Sequence, residues 1–518
     1  MSEVKVEKKS LTMRFLDAVE RACKHLPPPA ILFTALFLIT AVIASAFSLA
    51  GVELLNPATG KMVSTQNFFS EKGLEWLLLN LTKNFTNYAP MGLVMAMTLT
   101  IGLCDESGLL LAMIKKYLRN VPPVLMPYIC GFIGVMGNIA SNTAYVVVPP
   151  LAAIAFMGVG RHPVAGMIAS YAGASAGFTA NMLIAGTDAL CAGLTNDAIK
   201  GFLGAESTFR VDVTCNWYFM MASTVLASIV IGWVTTHIVE PRFGKYEGPG
   251  AGENHMEISD LEKKGLRNAG IGALLFIAAI LVLYFWGPLG LTKKGVRAFI
   301  GSAFLNGLIP ILFFFFAVPG IAYGYTVGTF KNVSDVNKAM VKQTAAVGSF
   351  IVICFFAGQF QGLFNWTKLG TVLAIEGANF LKNIGFTGLP LCVCFIFLTA
   401  CINLMIGSSA AKWAILAPLF VPMFMLMGFH PAFTQLIYRL GDSPSNCISP
   451  ISAYCWMMLS VVQAKYMKDA HIGTMLSNLV PHFVALQIIW VAFFLIWAYL
   501  GVPIGPGVTM SLPAGVLP

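Results

Sequence analysis

The chain has 518 residues, of which 57% are hydrophobic and only 11% are charged. Soluble domains carry about a quarter charged residues, so this composition excludes an ordinary soluble protein and predicts an all-α polytopic membrane protein. The formal net charge of +9 does not indicate nucleic-acid binding, because the basic residues lie in short loops beside apolar segments, as the positive-inside rule expects.

The first part of the chain predicts an arm followed by a membrane half. Residues 1–29 carry basic residues before three consecutive prolines and are expected to be a retained cytoplasmic arm, because the pattern of a cleaved signal peptide is missing. The first membrane half is predicted at residues 30–239, and a charged cytoplasmic linker at residues 240–268 follows it. The apolar runs of the first membrane half are each near the length needed to cross the hydrocarbon core. They lie at about residues 30–52, 91–113, 122–139 and 217–239.

The second membrane half is predicted at residues 269–502, and a C-terminal tail at residues 503–518 ends the chain. Its apolar runs lie at about residues 269–286, 301–325, 345–366, 389–406 and 483–500. If the arm and the linker are both cytoplasmic, an even number of crossings must separate them, whereas we count five, because a further apolar segment at about residues 141–160 adds to the four runs of the first half. One segment of the first half must therefore be broken or re-entrant.

Two stretches of the chain are copies of one unit. Residues 141–175 align without a gap to residues 409–443 at an offset of 268, and 10 of the 35 aligned positions are identical, including a Gly-x-His-Pro signature. In each copy, prolines bracket an apolar segment that is too short to cross a bilayer. Each copy therefore predicts a re-entrant helical hairpin, at about residues 141–160 and 409–428.

A polar interruption follows each predicted hairpin. In the first copy it runs from Gly173 to Asp188, and in the second copy it runs from Arg439 to Pro450. Irregular backbone at membrane depth is tolerated only where protein or a water-filled cavity surrounds it, and paired interruptions in two halves of a transporter mark its binding site. Unwound carbonyls and helix N-termini would bind a cation and an anionic group there.

Four ionisable residues lie in or beside these segments, namely Asp188, Lys412, Arg439 and Asp442. Such residues are costly in a membrane and usually face a bundle interior or a cavity. Each also has a purely structural interpretation. Arg439 and Asp442 are three residues apart and could pair on one helix face, Asp188 could lie at the membrane surface, and Lys412 could extend to the interface. Trp413 could serve packing alone.

Several motifs make the sequence similar to a known family. They are GRHPVAG at residues 160–166, GFTANML at 177–183, NWYFM at 216–220, WAILAPLFVPMFMLMGFHPAF at 413–433 and PIGPG at 503–507. Through them the chain resembles the AbgT family of p-aminobenzoyl-glutamate transporters, some of which resemble exporters of sulfonamide antimetabolites. The resemblance covers the chain from the first helix to the C-terminus. It implies an elevator-type homodimer whose subunits have about nine transmembrane helices, two re-entrant hairpins and inverted repeats.

The resemblance also implies a set of site residues. The family positions match Asp188, Asn403, Trp413, Pro418, Pro431, Arg439, Asp442 and Pro450. Trp413, Arg439, the three prolines and Ser409 would contact an aromatic carboxylate, since an arginine holds a carboxylate through two hydrogen bonds and an indole stacks on an aminobenzoyl ring. Asp188, Asn403 and Asp442, together with Asn142 and Asn446, would serve ion or proton coupling, with a sodium site near Asn403 and Asp442 as one option.

Two positions depart from the family pattern. The family usually has Ser where this chain has Ala410, and some relatives carry Asp where it has Asn142. A hydroxyl and a carboxylate are therefore missing from the hairpin tips. The departure leaves the identity of the substrate and the choice between sodium and proton open.

The sequence thus predicts a secondary active transporter of p-aminobenzoyl-glutamate and related folate-fragment or sulfonamide-like anions, driven by a sodium or proton gradient. It would lie in the cell (inner) membrane as a homodimer with a cytoplasmic N-terminus and have no cofactor. A phosphate-binding P-loop motif does not occur in the sequence, so ATP-driven transport by this chain is not expected. The direction of transport is not encoded.

Three alternatives remain open at this point. A transporter of other small carboxylates or dipeptide-like anions would use the same site. An ion channel is disfavoured by the mid-membrane Arg439. An intramembrane hydrolase would need Asp188 beside Asp442, or metal chemistry at His162 and His430 with a third ligand. Both histidines precede proline at equivalent turns, which favours helix capping.

Overall fold

The structure, a computed structural model, describes residues 29–57, 60–118, 121–140, 143–204, 206–248, 258–292, 295–297, 302–346, 348–406, 408–449 and 453–517. Within these ranges the chain is nearly all helical, and its one sheet is an antiparallel hairpin of Glu53–Asn56 (β1) and Lys61–Ser64 (β2). The predicted all-α class is confirmed. Residues 1–28 of the predicted arm and residues 249–257 of the predicted linker lie outside the described part of the chain.

The first half of the chain contains the elements that the repeat analysis singled out. Its helices are Pro29–Leu49 (α1), Glu71–Thr86 (α2), Ala89–Glu106 (α3), Leu109–Leu118 (α4), Met126–Gly137 (α5), Thr143–Gly158 (α6), Pro163–Ala176 (α7), Gly186–Leu203 (α8) and Trp217–Val234 (α9). Asn138–Ala140 is a 3₁₀ turn, and α9 continues through a π-turn at Thr235–Val239 and a 3₁₀ turn at Glu240–Arg242.

The span predicted at about residues 91–113 is two helices. α3 and α4 are separated at Gly108, whose φ of +86° is a conformation that a residue with a Cβ rarely adopts. No apolar run was predicted between the first repeat and residue 217, but this stretch contains α8. Its polar composition concealed the helix, because α8 is held by packing against other helices rather than by a long apolar run.

The second half begins with two long apolar helices and later contains the second copy of the repeated unit. Its helices are Asp260–Phe285 (α10), Ala303–Asn306 (α11), Leu308–Val327 (α12), Val333–Ala346 (α13), Gly348–Trp366 (α14), Leu369–Asn383 (α15), Gly388–Met405 (α16), Ser409–Leu426 (α17), Pro431–Ser445 (α18), Ala453–Lys465 (α19) and Ile472–Leu500 (α20). Pro288–Gly290 and Asn446–Ile448 are 3₁₀ turns.

Six helices in the described ranges are long and apolar enough to cross a membrane, namely α1, α9, α10, α12, α17 and α20. Shorter apolar helices are α5, α6, α14 and α16. Length and composition thus support a multi-pass membrane protein. The short pair α5 and α6 lies in the first half, where the predicted topology requires a broken or re-entrant segment.

The hairpin boundaries predicted from the prolines are wrong. Residues 143–158 and 409–426 are each one helix, with Pro149 and Pro150 inside α6 and Pro418 and Pro422 inside α17. An interior proline removes one backbone hydrogen bond and kinks a helix, but it does not end the helix where neighbouring helices pack around it. The helical hairpins are instead α5 with α6 and α16 with α17, so each predicted segment is only the second arm.

The Gly-x-His-Pro signature has the same geometry in both copies. Gly160 and Gly428 have φ of +73° and +86° and end α6 and α17. His162 and His430 then occupy the N-cap position, with proline at the first turn of α7 and α18, where its missing N–H costs nothing. The duplication read from the sequence is therefore also a duplication of local structure.

A second repeated glycine allows helices to approach closely. A Cβ on Gly173 of α7 would lie 2.4 Å from the Gly131 carbonyl oxygen, and one on Gly441 of α18 would lie 2.1 Å from the Ile396 carbonyl oxygen. The first arm of each hairpin thus packs against the same repeated glycine. The residues that these glycines contact, Gly131 and Ile396, are 265 residues apart in the chain. At the same spacing, Asn138 of the first repeat corresponds to Asn403 of the second.

Two cores organise the helices. The main core joins α5–α9 with helices of the second half, and at its centre α7 and α18 are buried along their whole lengths. A smaller core lies among α3, α4, α10 and α12 and includes Cys104, Ala112 and Phe316. The two interrupted segments belong to the main core.

Candidate functional site

The two interruptions meet inside the main core. After α7 the backbone unwinds until α8 begins at Gly186, and α18 runs alongside this unwound stretch. The Thr179 hydroxyl donates to the Arg439 carbonyl at 2.7 Å and contacts the Ser443 hydroxyl. The two interrupted segments therefore contact each other in the part of the chain that the structure describes.

Arg439 and Asp188 form the first charged pair of the site. Arg439 Nη1 donates to Asp188 Oδ1 at 2.6 Å, and both side chains are buried. Asp188 lies in the first turn of α8, and its Oδ2 accepts the backbone N–H of Ala185 at 2.7 Å. A carboxylate is favoured at a helix N-terminus by the helix dipole, so Asp188 is held from two sides.

The Arg439 guanidinium is surrounded by further acceptors. It lies 3.2 Å from the Phe178 carbonyl oxygen and 3.4 Å from the Thr187 carbonyl oxygen, and its Cζ lies 4.9 Å from the centroid of the Phe178 ring. Its Nε has no hydrogen-bond partner among the described residues. One donor of this buried cation is therefore not used.

Lys412 and Asp442 form the second charged pair. Lys412, on α17, contacts Asp442 Oδ1, and the exposed fraction of both side chains is 0%. Asp442 also accepts hydrogen bonds from the Ser409 hydroxyl at 2.6 Å, from Tyr438 at 3.3 Å and from Asn446 at 3.2 Å. The carboxylate thus joins the second arm of the hairpin to α18.

Asn403 completes this cluster from the end of α16. Its Oδ1 accepts from Lys412, and its Nδ2 reaches the Asp442 carbonyl, the Ser445 hydroxyl and Asn446 Oδ1 at 2.9, 2.7 and 2.8 Å. Of the five residues predicted for ion or proton coupling, Asn403, Asp442 and Asn446 lie together here, whereas Asp188 pairs with Arg439 and Asn142 lies outside the described residues. Their role in coupling is a separate matter and stays a prediction.

Trp413 follows Lys412 directly on α17 and contacts both α18 and α8. Its ring stacks on Tyr438 with centroids 4.5 Å apart, and its Nε1 donates to the Thr195 hydroxyl at 3.1 Å. Thr195 in turn donates to Gln435 at 2.8 Å. The indole is fully buried, so in this conformation it is already engaged with residues of the protein.

The pairing and the surface positions that the structural interpretations gave these ionisable residues are wrong. Arg439 and Asp442 do not pair with each other, because each has a partner on another helix. Asp188 is only 3% exposed and Lys412 is 0% exposed, so neither reaches the surface. In a low-dielectric interior each charge is tolerated because an opposite charge contacts it.

The predicted prolines are structural neighbours of this region. Pro418 lies in α17 beside a cavity of about 10 Å³ that Pro422 also lines, and Pro431 begins α18. Asn142 and Pro450 lie outside the described residues. The two histidines lie at the repeated turns, where His430 Nδ1 accepts the Ala432 N–H at 3.1 Å and His162 stacks on Phe243.

Sequence reasoning missed the polar residues that support the charged ones. Gln435, Tyr438 and Thr195 have no charge and did not stand out in an apolar chain. A signal was present, because Gln435, Arg439 and Asp442 are spaced by four and three residues and therefore lie on one face of α18. Such a polar stripe on an otherwise apolar helix marks a buried polar contact.

A larger cavity of about 740 Å³ lies between the two cores. Residues of the first hairpin, among them Phe132 and Val148, line it from one side, and residues of α3, α4, α10 and α12 line it from the other. Its lining is mostly apolar, which is a poor match for a substrate with two carboxylates. The charged pairs are not among its lining residues.

A family model and a known protein both make this chain similar to one family of transporters. A family model described as the AbgT putative transporter family matches residues 14–512. The p-aminobenzoyl-glutamate transport protein of Escherichia coli (strain K12) is 36% identical over 509 residues, which are 98% of this chain and 99% of that protein.

Two solved structures have the same fold. One is MtrF of Neisseria gonorrhoeae, described as one of a class of antimetabolite efflux pumps, with a TM-score of 0.88 and 36% identity over 96% of this chain and 100% of that chain. The other is the YdaH transporter of Alcanivorax borkumensis, with a TM-score of 0.85 and 31% identity over 93% of this chain and 100% of that chain.

Proposed function

The chain belongs to the AbgT family and is a multi-pass membrane transporter rather than an enzyme, and we propose that it carries p-aminobenzoyl-glutamate. Related folate fragments and sulfonamide-like aromatic anions would be further substrates. The name of the Escherichia coli relative supports the first substrate, and the description of MtrF supports the antimetabolites.

The observation that carries this proposal is the Arg439 guanidinium at the meeting point of the two interruptions. It is fully buried, and one of its donors is unused. Planar bidentate binding of a carboxylate is the interaction that arginine makes best. A glutamate-bearing substrate presents carboxylates to such a group, and Trp413 with Tyr438 lies on the same helix bundle to stack on its aromatic ring.

Substrate entry requires the site to open. The second arm of the α16–α17 hairpin carries Trp413, Lys412 and Ser409. Their partners Tyr438 and Asp442 lie on α18. Moving the hairpin away from α18 would separate these groups, while Arg439 keeps its contacts with Phe178, Asp188 and Thr187. A substrate carboxylate would then compete with Asp188 for the guanidinium, and alternating access would follow from opening the site to one side of the membrane at a time.

Coupling to an ion gradient follows from the same exchange. If Asp188 or Asp442 takes up a proton or a cation, the charge pair that it forms is weakened, and the hairpin is easier to open. We therefore assign secondary active transport, driven by a proton or sodium gradient, with Asn403 and Asn446 as the neighbouring polar groups of Asp442 and with Asn142, outside the described residues, as a further candidate from the sequence. A homodimer in the inner membrane with a cytoplasmic N-terminus completes the proposal.

The test is uptake of labelled p-aminobenzoyl-glutamate into proteoliposomes with an imposed proton gradient or sodium gradient. Arg439→Ala and Asp442→Ala should each abolish uptake while membrane insertion is unchanged. Lys115→Ala is the matched control, because it removes a partly buried ion pair with Glu262 away from the site and should keep uptake. Wild-type rates in the Arg439 variant would refute the site.

A second candidate is transport of other small carboxylates or dipeptide-like anions. The Arg439 guanidinium would bind these as well, since it recognises a carboxylate rather than a ring. Competition of unlabelled anions against the labelled substrate separates the two candidates. Competition by aliphatic dicarboxylates as strong as that by aminobenzoates would favour the second one.

A further inference from the structure

Lys412 occupies the position at which a free cation would bind. The two side-chain oxygens that make a sodium site plausible from the sequence are Asn403 Oδ1 and an Asp442 carboxylate oxygen. The Lys412 ammonium contacts both of them. Lys412 lies in α17 and is 0% exposed, so water does not replace these contacts.

The remaining polar atoms of the cluster are also engaged. Ser409 and Asn446 donate to Asp442 Oδ2, and the Tyr438 hydroxyl, which donates to the Ser409 carbonyl at 2.6 Å, also lies 3.3 Å from Asp442 Oδ1. The Nδ2 group of Asn403 is directed at three other acceptors. A sodium ion needs oxygen ligands without a competing donor, and in this arrangement Lys412 has taken them.

The charge balance points the same way. Lys412 carries one positive charge and Asp442 one negative charge, and the other charged pair nearby, Arg439 with Asp188, is also balanced. Adding sodium beside the ammonium would leave an uncompensated cation in a site that excludes water. Burying a charge without a partner is strongly unfavourable.

The first repeat serves as an internal comparison. Asn138, the counterpart of Asn403, is present, but the offset of 268 places Ala144 at the position of Lys412 and Ala174 at the position of Asp442. Lysine and aspartate are thus both present in one copy and both replaced by alanine in the other. The two residues behave as one unit, as a cation and its ligand would.

We propose that the Lys412 ammonium is the resident cation of the second-repeat site and sets its selectivity. While it is in place, Asn403 and Asp442 bind no free sodium. Without it, the same oxygens, together with the Ser409 hydroxyl, form a site for a free monovalent cation. This inference concerns the coupling ion of the proposed transporter, but cation binding at the site is independent of which substrate is carried.

The experiment measures thermal unfolding of the purified full chain in detergent without substrate. Sodium chloride is compared with choline chloride at one ionic strength for wild type, Lys412→Ala, the double variant Lys412→Ala with Asp442→Asn, and Lys115→Ala as the control. A ligand that binds only the folded state shifts the folding equilibrium by a factor of 1 + [L]/Kd, which is about tenfold at ten times the Kd.

We expect sodium to raise the Tm of Lys412→Ala by a few degrees more than it raises the Tm of wild type or of Lys115→Ala. The double variant should lose this gain. A folded Lys412→Ala without the gain overturns the proposal, and so does a gain that survives removal of the Asp442 carboxylate. Direct binding of radioactive sodium to the same four proteins gives a second readout.

Loss of Lys412 also leaves Asp442 unpaired, so the variant could fail to fold without salt. In that case, folded protein recovered only when sodium is present throughout purification supports the proposal, and equal failure in sodium and choline overturns it. Lys412→Ser, which adds a hydroxyl ligand, repeats the comparison. A wrong substrate would leave these results unchanged, and a negative result here would leave substrate uptake as a separate question.

Discussion

The buried pair between Arg439 and Asp188 provides the sharpest test of the site. Removing one partner of a buried ion pair costs about 3–5 kcal/mol, because the other charge stays buried. Asp188→Ala would leave the guanidinium with two carbonyl acceptors at 3.2 and 3.4 Å and the Met220 sulfur at 3.0 Å, none of which carries a charge. It would also remove the acceptor for the Ala185 N–H, and loss of an N-terminal cap costs about 1 kcal/mol.

Asp188→Asn separates these two contributions. An asparagine oxygen can still accept the Ala185 N–H, so this variant should lose the charge interaction and keep the cap. We expect both Asp188 variants and Arg439→Ala to be destabilised, with Asp188→Asn less affected than Asp188→Ala. The double variant without either charge should show a coupling free energy of about 1–3 kcal/mol.

The assay is unfolding in detergent, followed by uptake into proteoliposomes for every variant that folds. Asp260→Ala is the control, since its pair with Lys263 is exposed to solvent and surface ion pairs contribute little. No measurable change in stability is expected there. If Asp188→Ala were as stable as wild type, or if the double-mutant cycle gave no coupling, the pair would not exist in the folded protein.

Three further substitutions, the first with a matched control substitution, test other parts of the structure. Gly441→Ala would place a Cβ against the Ile396 carbonyl oxygen and should destabilise the protein by about 1–3 kcal/mol in the unfolding assay. Gly270→Ala is its control, because the added Cβ would have nothing within 4 Å, and it should be neutral or slightly stabilising. Tyr438→Phe removes a hydroxyl that donates to a hairpin carbonyl at 2.6 Å and should cost about 0.5–1.5 kcal/mol; an unchanged stability would mean that this bond is not made. Ala410→Ser should change the relative uptake of competing substrates more than expression, and identical kinetics would place that position outside the substrate pocket.

The repeat shows how far sequence reasoning reached at the local level. The paired His-Pro turns were predicted to be helix caps, and both histidines occupy N-cap positions, although only the His430 side chain accepts a capping hydrogen bond among the described residues. Capping depends on a few adjacent residues and on the conformational freedom of glycine. Such short-range preferences are the same wherever the segment lies, so they can be read without the fold.

The prolines show where local rules were not sufficient. Pro149 and Pro418 were expected to interrupt their segments, yet both lie inside continuous helices. Whether a proline ends a helix or only kinks it depends on the surrounding helices. Those neighbours come from distant parts of the chain, and the sequence pattern of the segment does not describe them.

By itself, the sequence determined that this chain is a helical membrane protein, that it contains a duplicated unit, and which ionisable residues lie at the two interruptions. Composition and repeat register carry that information directly. Only the tertiary structure decided the pairing, with Asp188 joined to Arg439 across 251 residues and Lys412 joined to Asp442. Pairing of buried charges depends on which helices pack together in three dimensions. Arg439 and Asp442, three residues apart on one helix, therefore pair with residues of other helices and not with each other.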